Sequence, residues 1–107
     1  MPVNHIVLFQ FKAEAGTASA ETAFTNMLAL KDACVRDDTQ KPYIKSLTGG
    51  KDISVEGLST GIQYAFVVEF ENEEDRNFYV HKDKAHKAFV TSIWPILEKA
   101  IVVDYGF

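Results

Sequence analysis

Tyr79, His81 and His86 crowd into the eight residues YVHKDKAH, the densest set of proton-transfer groups in the sequence, and a third histidine, His5, stands near the N-terminus. An imidazole titrates near neutrality, so His86 can act as a general base on a carbon alpha to a carbonyl. A dry cavity would lower its pKa and keep it ready to accept. Tyr79 can hydrogen-bond the enolate oxygen that such a step develops. His5 can bond a substrate carboxylate, or Tyr64 across a sheet, since a polar group among apolar neighbours needs a partner. Each group has a plainer alternative: His86 as a structural histidine at a helix start, Tyr79 as an amphipathic tyrosine at the core edge. His81 lies two residues from Tyr79, which turns the two apart on a helix and places His81 outside the pocket. The histidines form no HxH or HxxxH pair and have no supporting carboxylate spacing, so no metal is expected. Phe89 and Trp94 are expected in the core. Cys34 is the only cysteine. It rules out an internal disulfide and, with only Lys31 nearby, reads as a buried inert thiol.

A strand and the helices after it must position these groups. The stretch Gly61 to Phe89 reads GIQYAFVVEFENEEDRNFYVHKDKAHKAF. Tyr64, Phe66, Val68 and Phe70 fall on one strand face, Ala65, Val67 and Glu69 on the other. Asn72 is an N-cap, and Glu73, Glu74 and Asp75 suit the positive first turn of a helix running to about Val80. A second helix is expected from near Asp83 to about Lys99, with an apolar stripe through Ala85, Phe89 and Ile93 and a kink at Pro95. Residues seven apart on one straight helix stand about 10 Å apart. Bringing Tyr79 to His86 therefore requires a bend between His81 and Asp83, and that bend is predicted.

Val3 to Lys12 reads as the first strand, with Val3, His5, Val7, Phe9 and Phe11 on one face and Ile6 and Leu8 on the other. A loop through Gly16 leads to a helix over Ala20–Val35, N-capped by Ser19, with Ala20, Ala23, Phe24, Met27, Leu30 and Cys34 in its stripe. A polar connection ends at Pro42. Tyr43–Leu47 is a weaker strand, punctuated by Gly49-Gly50 as a bulge or close backbone approach would be. Residues 51–61 form a rim or lid, and Ala100–Tyr105 is a last strand. The order gives one domain over residues 1–107 of class α+β: a ferredoxin-like, four-stranded antiparallel sheet with helices on one face. The other face is expected to carry Val3, His5, Val7, Phe9, Phe11, Tyr64, Phe66, Val68 and Phe70. So much exposed aromatic surface would associate, so the expected partner is a second copy, in a homodimer whose sheets face each other and enclose an apolar cavity. His5, Tyr64, Val7, Phe9, Phe66 and Phe89 would line it and contact a hydrophobic small molecule.

Composition narrows the function classes. Hydrophobic residues make up 47 % of 107, too many for a disordered chain, and the net charge of −4 comes with no basic stripe for nucleic acid. No apolar run reaches the roughly 20 residues of a membrane helix. The N-terminus lacks the charged region and cleavage site of a signal peptide, so a cytoplasmic location is expected.

The segments HIVLFQFK, GKDIS-x-EG (Gly50 to Gly57), YAFVVEFENEED, YVHKDKAHKAF and the terminal VVDY, in this order and at this length, resemble the stress-responsive dimeric α/β-barrel (Dabb) family. The resemblance spans nearly the whole chain. The family includes plant stress proteins and a polyketide cyclase, olivetolic acid cyclase. The resemblance implies a cofactor-free cyclase or lyase in which Tyr79 and His86 transfer protons and His5 lines the same pocket. The tyrosine-to-histidine segment is one residue longer here, and Tyr64 stands where the cyclase has another pocket histidine. A non-catalytic stress or ligand-binding protein is the alternative reading. A monooxygenase of the same superfamily, cofactor-free or with haem, is a third.

Overall fold

Alternation along the first strand sets the architecture. In the computed structural model, which describes all 107 residues, Val3, His5, Val7, Phe9 and Phe11 of β1 (Val3–Phe11) are buried, while the residues between them are partly covered. The chain continues as α1 (Gly16–Ala33), β2 (Ile44–Lys51), β3 (Tyr64–Phe70), α2 (Glu73–His81), α3 (Lys84–Ile93) and β4 (Leu97–Gly106), with single 3-10 turns at Ala13–Ala15 and Trp94–Ile96. The strands form one antiparallel sheet in the order β2-β3-β1-β4. No helix is long and apolar enough to cross a membrane.

The helices cover the face carrying His5, Val7, Phe9, Phe11, Tyr64, Phe66, Val68 and Phe70, which joins Ala23, Met27, Leu30, Phe89 and Ile93 in one core. This reverses the expected assignment, in which that face, with Val3, was the open one. Strand parity groups residues by face but does not say which face the helices take. Burial decides it. Phe9, Phe11, Tyr64, Phe66 and Phe70 are almost fully buried, and each such side chain contributes roughly 1.5–3 kcal/mol when removed from water. The other face has smaller apolar groups: Ile6, Leu8, Ala65, Val67, Ile101 and Val103.

Local sequence sets the element ends. Asn72 accepts a hydrogen bond from the Asp75 backbone N–H, and Glu73, Glu74 and Asp75 occupy the first turn of α2. The last helix stops at Ile93 rather than near Lys99. Pro95 supplies no backbone N–H and is accommodated in the 3-10 turn, after which β4 begins at Leu97. The first helix starts at Gly16, not after Ser19, with no side-chain cap. β2 runs through Gly49-Gly50 to Lys51. Gly49 is required there, because a Cβ would run into the Phe66 ring on the neighbouring strand.

Candidate functional site

α1 packs over the β2–β3 half of the sheet, where Phe24 stacks on Tyr64 at 5.3 Å between centroids. Over β1 and β4 the covering layer is α2 and α3, and a cavity of about 690 Å³ remains there. Its apolar wall includes Val7, Phe9, Met27, Phe89, Ile93 and Leu97, and its polar groups are His5, Arg76, Asn77, His81, His86 and Asp104. β4 is an edge strand, and the cavity opens beside it: Val102 is 53 % exposed and Trp94 71 %.

The break between α2 and α3 brings Tyr79 and His86 together. Asp83 is extended, with φ −69° and ψ 120°. Its carboxylate is 1 % exposed; Oδ1 accepts the His86 backbone N–H at 3.0 Å, capping α3, and Oδ2 accepts the Tyr43 hydroxyl at 2.6 Å. The chain therefore turns, and the Tyr79 and His86 rings stack at 4.0 Å between centroids. His5 meets Tyr79 edge-on at 5.6 Å.

His5 is anchored from the edge strand. Its Nδ1 lies 2.7 Å from Asp104 Oδ1, and Arg76 Nη1 donates to Asp104 Oδ2, also at 2.7 Å. A carboxylate only accepts, so Nδ1 carries a proton, and in the neutral imidazole the lone pair is on Nε2. Neither Tyr79 Oη nor His86 Nδ1 has a hydrogen-bond partner, and both are sealed from solvent. Burial pushes the His86 imidazole below its ordinary pKa, and a proton gained by His5 would lower it further, while the Tyr79 backbone and Asp83 oppose the shift. Burial raises the Tyr79 phenol, and the Asp83 charge reinforces the rise, so the hydroxyl stays a donor at neutral pH. The Cys34 thiol is likewise raised, mainly by burial, and is unreactive.

Of the residues expected at a pocket, His5, Val7, Phe9, Tyr79, His86 and Phe89 line this one. Tyr64 and Phe66 do not. They lie under α1, against Phe24, because β3 is one strand further from the β4 edge. Tyr64 pairs with Phe9 rather than His5, whose neighbours across the sheet are Val68 and Asp104. His81, expected outside, lies at the cavity rim, because the cavity extends past the end of α2. Trp94, expected in the core, is at the mouth. Sequence reading missed Asp104, Arg76, Tyr43 and the buried role of Asp83. An acid inside the apolar strand AIVVDY was the available signal for Asp104. Its pairing with His5 required the β1–β4 register. No three histidine, cysteine or carboxylate side chains come together as a metal site.

The stress responsive A/B barrel domain (Dabb) family model matches residues 3–107. A curated relative, the stress-response A/B barrel domain-containing protein HS1 of Arabidopsis thaliana, is 29 % identical, over 97 % of this chain and 88 % of its own length. A crystal structure of an Arabidopsis thaliana protein superposes with a TM-score of 0.80 at 27 % identity, over 98 % of this chain and 94 % of that one. A hydroxynitrile lyase from Passiflora edulis gives 0.79 at 21 %, over 97 % and 91 %. A dimeric ferredoxin-like protein of unknown function from Thermobifida fusca gives 0.77 at 20 %, over 100 % and 92 %. These likenesses identify the four-stranded sheet and its helices as a ferredoxin-like α+β fold.

Proposed function

The chain belongs to the stress-responsive A/B barrel domain (Dabb) family, and we propose that it is a cofactor-free acid–base catalyst acting on a hydrophobic carbonyl compound, making or breaking a carbon–carbon bond next to the carbonyl. The observation that carries this reading is His5: Nδ1 is held at 2.7 Å by Asp104 while the ring borders an apolar cavity of about 690 Å³. Asp104, itself held by Arg76, fixes the tautomer and stabilises the imidazolium that forms, as an orienting carboxylate does for a catalytic histidine. His5 Nε2 removes a proton from the alpha carbon, and the electron pair moves onto the carbonyl oxygen. Tyr79, a neutral donor without a partner, bonds that oxygen after a small shift at the α2–α3 bend, since its hydroxyl is closed off as it stands. His86 stacks on Tyr79 and, neutral near pH 7, serves as the second proton carrier. The enolate carbon then attacks a second carbonyl in an aldol closure, or the reverse step cleaves such a bond. The sequence reading gave the base to His86 and positioning to His5; the anchored His5 favours exchanging those roles. A hydroxynitrile lyase is built on the same fold, so the fold accommodates a carbon–carbon lyase.

The expected assembly is a homodimer through the sheet face that the helices leave open. That face carries Ile6, Leu8 and Ile101, partly covered, with Val67 37 % and Val103 54 % exposed, an apolar patch of the kind that marks an interface. The fold-neighbour from Thermobifida fusca is described as dimeric.

Exchange of alpha protons for deuterium reads out enolate formation without knowledge of the product. In D2O, loss of the alpha-proton NMR signals of hydrophobic aryl ketones and aldehydes should be accelerated by the protein over matched imidazole. His5→Ala and Tyr79→Phe should each lower the rate by roughly 10²-fold or more. A ligand that binds without any accelerated exchange would instead favour the non-catalytic, ligand-holding reading.

A further inference from the structure

We infer that the cavity selects uncharged carbonyl compounds over carboxylates of the same carbon skeleton. This rests on the cavity being a ligand site, as proposed above, and adds the ligand's charge. Every permanent cation facing the cavity is already neutralised. Arg76 is the only lysine or arginine in the lining. Its Nη1 lies 2.7 Å from Asp104 Oδ2 and its Nη2 3.7 Å from a Glu73 carboxylate oxygen. Arg76 also donates from Nε to Asn77 Oδ1 at 2.9 Å, so an incoming anion would have to share a guanidinium already paired with Asp104.

The remaining groups oppose an anion or are indifferent to it. His86 faces the cavity in its neutral form, with the buried Asp83 carboxylate behind its helix turn. His81 at the rim is exposed and in water. Asp104 and Glu73 together set two carboxylates against the single cation of Arg76. A carboxylate entering would lose its hydration against an apolar wall, gain no unpaired cation and approach an existing carboxylate. A ketone or aldehyde oxygen meets none of these costs and, after the same shift at the α2–α3 bend, can accept from the unpartnered Tyr79 hydroxyl. The uncharged end therefore sits near His5 and Tyr79, and the hydrocarbon part lies along Phe89, Ile93 and Leu97 toward Trp94.

The test uses matched pairs of uncharged and anionic probes: 4-phenyl-2-butanone against 3-phenylpropanoate, and a longer alkyl phenyl ketone against the corresponding aryl alkanoate. Binding is measured at pH 7.5 by ligand-observed NMR and by quenching of the single tryptophan, Trp94, at the mouth. The ketones should bind about tenfold or more tightly than the acids. Asp104→Asn releases Arg76 from its partner and should shift this preference toward the acids by a similar factor. Equal or tighter binding of the acids by wild type overturns the inference, as does an unchanged preference in folded Asp104→Asn. Binding of neither class also overturns it, because the cavity then takes no uncharged ligand. Ketone preference without alpha-proton exchange leaves the charge selection standing and removes the catalytic reading, so the two fail separately.

Discussion

Asp83→Ala should be among the most damaging single substitutions in the α2–α3 bend. The carboxylate is 1 % exposed and serves two elements at once. Removing it takes the N-cap from α3, a loss of about 1 kcal/mol for such caps. It also breaks the 2.6 Å bond from Tyr43, and a hydrogen bond to a charged group contributes about 1.5–3 kcal/mol. Together these give a loss of roughly 2.5–4 kcal/mol, and at about 4–8 °C per kcal/mol for a domain of this size the melting temperature should fall by at least roughly 10 °C. Asp83→Asn keeps an oxygen for the cap and offers Tyr43 an amide partner, so it should cost only about 1–2 kcal/mol. Tyr43→Phe removes one of the same two bonds, so Tyr43→Phe and Asp83→Ala should combine less than additively, with a coupling of about 1–2 kcal/mol. Urea denaturation of wild type, the three single variants and the double variant measures all of this. A loss below about 1 kcal/mol in Asp83→Ala, or strictly additive losses in the double variant, would refute the view that this carboxylate ties the bend to Tyr43, just ahead of β2.

Two further outcomes follow from the same physics. Because burial lowers the folded-state pKa of His86, the unfolded chain binds the proton more readily. Stability should therefore fall as pH drops from about 6.5 through the lowered folded value, and be regained as pH rises. In His86→Gln this part of the slope should vanish in chemical denaturation across pH 4.5–7.5 (roughly the window set by an ordinary histidine). An unchanged slope would show that the imidazole is not held neutral. Val67→Lys and Val103→Lys place charges on the open sheet face, away from the cavity. Light scattering at micromolar concentration should show wild type as a dimer and the double variant as a monomer, with ligand binding in the cavity retained. A monomeric wild type would refute the dimer.

Local rules account for the parts of the molecule that alternation, capping and spacing delimit. Period-two alternation placed His5 with Val7 and Phe9, and Tyr64 with Phe66 and Phe70, because successive strand residues point to opposite faces. Asn72 and its acidic followers marked the start of α2. The spacing of Tyr79 and His86 required a bend, and the chain breaks at Lys82–Asp83. Pro95 signalled a disturbance, although whether it kinked or ended the helix depended on what followed it in space. The tertiary structure decided everything that depends on which element lies beside which. Alternation is symmetric between the two sides of a sheet, so only packing against α1, α2 and α3 could assign the aromatic face to the interior. Strand order put Tyr64 and Phe66 under α1 and left the cavity beside β4. Asp104 stands 99 residues from His5 in sequence and 2.7 Å from it in space. No periodicity within either strand specifies that contact, because the antiparallel register between β1 and β4 is set by long-range pairing.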